Sequence, residues 1–293
     1  MWGFVWLALI KSAPLMYAAL GGVLCERAGI VNIALEGSLA VAAFTGVAVA
    51  SATGYPLLGL VAGVAASALF CALLGLLATR FDVDQIVAGT GFNLVATGGT
   101  ATALVAVFGQ PGATPEVHAL GRPGEIALVA GAFATALLLH TLLRSTVWGL
   151  RTRVAGENPY ALRAAGIDPR TVRLIATAWA GAIVGLGGVF LSLGELDLYS
   201  DGMTAGRGFI ALAAVIFGRW SPLGATAAAV AFGTLSALQF ALQRTGVSSD
   251  LMAMLPYLAA LVALTGILGR ARPPAADGAP YAGGGPPRRK RRA

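Results

Sequence analysis

Apolar residues run along this chain in stretches of about twenty, separated by short polar breaks. A helix needs roughly 20 mostly apolar residues to cross the hydrocarbon core of a bilayer. On that length the pattern predicts nine spans, at 4–24, 33–52, 56–78, 86–108, 126–143, 174–193, 206–217, 223–242 and 251–268. The seventh is too short to cross and opens on glycines, which predicts a broken or re-entrant helix. The second carries a break near residues 29–32. The expected fold is an all-α integral membrane protein with about nine transmembrane helices, eight to ten once the broken segments are allowed for. A polar loop at 144–173 divides it into halves of five and four spans. Gly-bounded apolar stretches at 29–37 and 206–218 recur in the two halves, the pattern expected of pseudo-symmetric repeats around a central pathway.

Composition strengthens this picture. The chain has 293 residues, of which 57% are hydrophobic and 11% charged, against about 25% charged in a soluble domain. A mean hydropathy of +0.78 is more apolar surface than one soluble core can hide. The 40 glycines suit helices that pack closely through small residues.

The net charge of +7 is unevenly placed. Residues 144–173 carry six arginines against two acids, and residues 270–292 carry seven basic groups against Asp277 alone. Short cationic loops mark the cytoplasmic side, so both segments are expected in the cytoplasm and the N-terminus outside. The loops at 109–125 and 194–205 lack a cationic excess and are expected outside. The basic balance therefore reports topology and contact with anionic lipid, and no nucleic-acid partner. A membrane-spanning body at 1–270 is expected to be followed by a disordered, basic, cytoplasmic tail at 271–293.

Polar side chains inside spans are costly and need a purpose. Asn32 and Glu36 are four apart and share a helix face. Gln85 opens span four, Asn93 lies within it, and Arg207 opens span seven. These five are the candidates for a translocation pathway, where amides and a carboxylate would hydrogen-bond a passing solute. The alternative is that they satisfy broken backbone and bridge helices. Arg207 would pair with an outer acid such as Asp201, or touch a docked protein. Arg219 and Trp220 read as an interfacial anchor, and Lys11 as a side chain that snorkels outward. Cys25 and Cys71 have no ligand spacing, and His118 and His140 are isolated, so no metal is expected. No phosphate-loop motif occurs, and the only lysines are Lys11 and Lys290. The chain is therefore expected to be no enzyme, and any ATP hydrolysis must lie elsewhere.

The most informative segment is Gly156-Glu-Asn-Pro-Tyr-Ala-Leu-Arg-Ala-Ala-Gly166. Asn158 is a good N-cap, Pro159 suits the first helical position, and Gly166 can take the left-handed position that ends a helix. These signals spell a rigid helix of about two turns. Its small face, Ala161, Ala164 and Ala165, permits close approach by a cytoplasmic partner. The competing reading is a helix that merely lies against the bilayer.

The run Glu157-Asn-Pro…Ala164-Ala-Gly-Ile167 resembles the coupling loop of ABC importer permeases of the branched-chain amino acid, ribose and nucleoside superfamily. Three more blocks resemble the nucleoside-type branch: Glu26-Arg-Ala-Gly-Ile-Val-Asn-Ile-Ala-Leu-Glu-Gly37, Gln85-Ile-Val-Ala-Gly-Thr-Gly-Phe-Asn93, and the stretch from Thr204 through Arg207-Gly-Phe-Ile-Ala-Leu-Ala to Gly224. The resemblance covers about residues 13–270. It implies a permease subunit that carries purine nucleosides across the bacterial inner membrane. It also implies three partners: a second homologous permease, a cytoplasmic ABC ATPase that binds the ATP and Mg, and an extracytoplasmic substrate-binding lipoprotein. The chain itself would bind no cofactor. Gly156, Glu157, Asn158, Pro159, Ala164, Ala165 and Gly166 would couple the ATPase to the spans. Two alternatives stay open: the same mechanism with a sugar or branched-chain amino acid as cargo, and an ion-coupled secondary transporter. The second would usually want more buried charge than Glu36 supplies.

Overall fold

The computed structural model describes residues 2–242, 272–279 and 281. The ninth predicted span, 251–268, and most of the basic tail lie outside the described residues. Ten helices are described: α1 (Trp2–Arg27), α2 (Leu35–Thr53), α3 (Pro56–Arg80), α4 (Gln85–Phe108), α5 (Gly121–Ser145), α6 (Val147–Glu157), α7 (Pro159–Ala164), α8 (Pro169–Val189), α9 (Arg207–Phe217) and α10 (Pro222–Leu242). The turn Phe190–Leu196 continues α8 with π-helical geometry. Among the described residues, seven helices are long and apolar enough to cross a membrane, counting α8 through Leu196. The chain is a multi-pass membrane protein. Its first eight predicted spans all appear as helices, with the seventh confirmed as a short piece of 11 residues, about 16 Å long at 1.5 Å per residue.

Local chemistry sets the boundaries. The Asp84 carboxylate accepts the N–H groups of Ile86 and Val87 and starts α4. Pro56 and Pro169 stand in the first turns of α3 and α8, where a missing N–H costs nothing. α1 is buried from Ser12 to Glu26 and packs against α8, α9, α10 and α5. α8 packs in turn on α1, α2 and α3. Glycines let these helices meet backbone to backbone. A methyl group on Gly21 would stand 2.7 Å from the Ala180 carbonyl oxygen, and one on Gly181 would stand 2.5 Å from that of Ser67. Lipid gives helices no hydrophobic reason to associate, so such close van der Waals contact carries much of the cohesion. Ser67 adds a hydrogen bond to the Gly181 carbonyl at 2.7 Å.

Two expectations change. Trp220 is no interfacial anchor: it is 6% exposed, and its indole N–H donates to the Glu26 carboxylate. Buried indoles generally find such an acceptor. Lys11 does not simply snorkel: it pairs with Glu195 on the π-helical turn and lies 4.4 Å from the Phe240 ring centroid. Within the segment expected as a tail, residues 272–279 and Tyr281 hydrogen-bond to α6 and α8.

Candidate functional site

Two interruptions in the helical pattern face each other. After α1 the backbone runs through turns and irregular residues at 28–34 before α2 begins. Its polar groups are met by side chains from α4. The Gln85 side-chain oxygen accepts the Val31 N–H at 2.7 Å. The Asn93 amide donates to the Ile33 carbonyl at 3.0 Å and accepts the Gly37 N–H at 2.8 Å. Asn32 is buried, and its amide lies 3.6 Å from the Cys71 sulfur.

The second interruption precedes α9. Gly206, at a φ of 75°, is the N-cap and has no side chain to offer. Glu36 supplies the missing acceptor from the other half of the chain. Its two carboxylate oxygens accept the N–H groups of Gly206 at 2.7 Å and Gly208 at 2.6 Å. Negative charge at a helix N-terminus also complements the aligned peptide dipoles. Arg207 turns back to the carbonyls of Met203, at 2.6 Å, and Thr204. It pairs with no acid among the described residues. Of the five pathway candidates, Asn32, Glu36, Gln85 and Asn93 thus gather around the first interruption, and Glu36 and Arg207 sit at the second. Their hydrogen bonds go largely to broken backbone, the alternative that the sequence left open.

The polar segment between α5 and α8 forms a second candidate site. Asn158 ends α6 and caps α7, accepting the Ala161 N–H at 3.2 Å. Pro159 follows in the first turn. At the other end the Ile167 N–H reaches the Leu162 carbonyl at 3.2 Å and the Gly166 N–H reaches that of Arg163 at 3.0 Å, with Gly166 left-handed at a φ of 80°. This double closure is the Schellman arrangement. Pro159 and Leu162 are buried, while Ala161, Ala164 and Ala165 are exposed.

The segment is tied to the bundle by a residue that sequence reasoning treated only as topology charge. Arg173 is 1% exposed. Its guanidinium donates to the carbonyls of Ala28 at 3.1 Å, Ala155 at 3.2 Å, Ala276 at 3.2 Å and Ala279 at 3.0 Å. One planar cation therefore joins the first interruption, α6 and the C-terminal segment, a task suited to its fixed fork of donors. Gly156 leaves room for this: a methyl group there would meet the Arg27 carbonyl oxygen at 2.3 Å. Its own carbonyl accepts the Ala276 N–H at 2.8 Å. Glu157 accepts the Ala275 N–H at 3.2 Å and lies 3.9 Å from the Arg27 guanidinium. Tyr281 packs on Tyr160 with ring centroids 5.3 Å apart. Burial pushes the Asp277 carboxyl up to about 7, opposed by the neighbouring Arg173 charge.

Among the described residues no cluster of three or more side chains is arranged to hold a metal. Residues 5–264 match the family described as branched-chain amino acid transport system, permease component. The chain is 36% identical to the guanosine ABC transporter permease protein NupQ of Bacillus subtilis, over 93% of this chain and 94% of that one. It is 33% identical to the nucleoside ABC transporter permease protein NupC of Lactococcus lactis, again over 93% and 94%. The putative glucose ABC transporter permease protein TsgC13 of Haloferax volcanii is 32% identical over 83% of this chain and 79% of its own. No solved structure matches the chain.

Proposed function

The chain belongs to the family of permease components of branched-chain amino acid transport systems, and from that premise we propose that it is the purine-nucleoside permease subunit of an ATP-driven importer. Two full-length relatives named for guanosine and nucleoside transport support this cargo. The observation that carries the mechanism is the exposed alanine face of α7, rigidly capped and following directly on α6, which Arg173 ties to the first interruption. An ATPase that grips α7 and moves it would drag α6 and residues 28–34 together. Glu36 would pass the movement on to α9.

The proposal includes the partners. A cytoplasmic ABC ATPase, holding ATP and Mg, docks on α7, and an extracytoplasmic binding lipoprotein delivers the nucleoside. The coupling end and the C-terminus face the cytoplasm of a bacterium. A second permease covers α4, the least buried of the long helices. On α4, methyl groups placed at Gly91, Gly98 and Gly99 would meet no atom, and the Thr90, Thr97 and Thr102 hydroxyls bond their own helix. Such a face accepts close approach by another helix.

A sugar is the second reading, favoured by the glucose-named relative. Uptake of labelled guanosine and adenosine into cells with and without this chain separates the two. Loss of nucleoside uptake on deletion, unaffected by excess glucose or leucine as competitors, is expected. Competition by glucose alone would shift the cargo to sugars.

A further inference from the structure

At the end of the bundle that carries α7, a cavity of about 270 Å³ opens between the end of α3, α7 and the start of α8. It is lined by Arg80, Arg163, Arg170, Asp168, Thr171 and Tyr281 among others. Three guanidinium groups thus share one hollow with a single carboxylate. That carboxylate is already engaged: Asp168 accepts the Arg170 N–H at 3.3 Å and the Thr171 hydroxyl at 3.1 Å. Arg170 donates one amine to the Tyr281 carbonyl at 3.3 Å, and its ring contact with Tyr281 is 5.8 Å. Its Nε is buried and has no hydrogen-bond partner among the described residues. Arg80 and Arg163 form no ion pair among the described residues.

Among the described residues, this hollow gathers one unpartnered buried donor and two exposed cations without an ion pair, so it can receive an anion. We propose that this cavity binds a phosphate group, from an anionic phospholipid headgroup or from a soluble phosphate compound. Guanidinium pairs recognise phosphate through two parallel hydrogen bonds. A basic pocket between helix ends at the membrane surface suits a headgroup. The bound phosphate would fasten α7 and the start of α8 to α3, next to the coupling helix. The inference is independent of the cargo.

The full chain in mild detergent tests it by thermal unfolding. Inorganic phosphate, or vesicle lipid containing phosphatidylglycerol rather than phosphatidylcholine alone, should raise the midpoint by a few degrees. The rise should vanish in Arg163→Gln/Arg170→Gln. It should shrink in Arg80→Gln, which removes an exposed group with no ion-pair partner among the described residues and so keeps the test open if the double variant fails to fold. It should persist in Arg144→Gln, whose arginine lies on α5 outside the cavity lining. A response to lipid alone assigns a headgroup, and a response to inorganic phosphate assigns a soluble ligand. No response to either probe, or an equal response in wild type and all variants, overturns the proposal.

Discussion

The carboxylate of Glu36, at the start of α2, closes the backbone of Gly208 at the start of α9, with oxygen and nitrogen 2.6 Å apart. The approach is so close that a methyl group on Gly208 would stand 2.3 Å from the Glu36 backbone nitrogen. One residue of the first half therefore completes a helix of the second, and the two interruptions form one joint.

Gly208→Ala should wedge that joint open. Backbone atoms cannot yield as a flexible side chain would, so a cost of about 1–3 kcal/mol is expected. Glu36→Ala should cost a similar ~1–3 kcal/mol by stranding the Gly206 and Gly208 donors. Thermal unfolding in detergent measures both. A midpoint unchanged in Gly208→Ala would contradict the close contact.

Arg173→Lys should fail to replace arginine despite keeping the charge. A single ammonium has no planar fork to span carbonyls on three segments, and the stranded groups should cost at least about 2 kcal/mol. Greater mobility of a spin label on exposed Ala275 would report release of the C-terminal segment.

Docking of that segment should weaken as pH rises. Asp277 has an ordinary value near 3.8 and about 7 when packed. A group whose folded value is raised binds its proton more tightly when docked, so the released form ionises first. Docking is strongest below pH ~4, falls between about 4 and 7, and then levels off. A spin label on exposed Ala275 should gain mobility over this window in the wild type. Asp277→Asn should flatten the response.

Ala165→Trp places bulk on the exposed face of α7 and should abolish uptake while the chain still reaches the membrane. Gly166→Ala separates strain from bulk: its added methyl would meet no atom, but the φ of 80° remains unfavourable. The strain should cost about 1 kcal/mol and reduce uptake only partly. Normal uptake in Ala165→Trp would remove α7 from the coupling role.

The capped helix from Asn158 to Gly166 was legible because caps are local: donor, acceptor and left-handed glycine all lie within nine residues of each other. The interruptions were legible for the same reason, since Gly29 and Gly206 announce them in the chain itself. Glu36 was recognised as unusual, but its partners lie 170 and 172 residues away, and no spacing encodes that. Trp220 looked like an anchor until Glu26 met it across 194 residues. Arg173 merged with its cationic neighbours because charge counting reports only a side of the membrane. Its burial depends on carbonyls from three separate segments.

The central claim is ATP-driven import of nucleosides through a permease that must recruit its motor. Purification of this chain in gentle detergent, mass spectrometry of what accompanies it, and reconstitution with labelled guanosine test it together. The account predicts that an ABC ATPase and a second permease co-purify, and that guanosine enters only with ATP. A chain that purifies alone and moves guanosine along an ion gradient would contradict it.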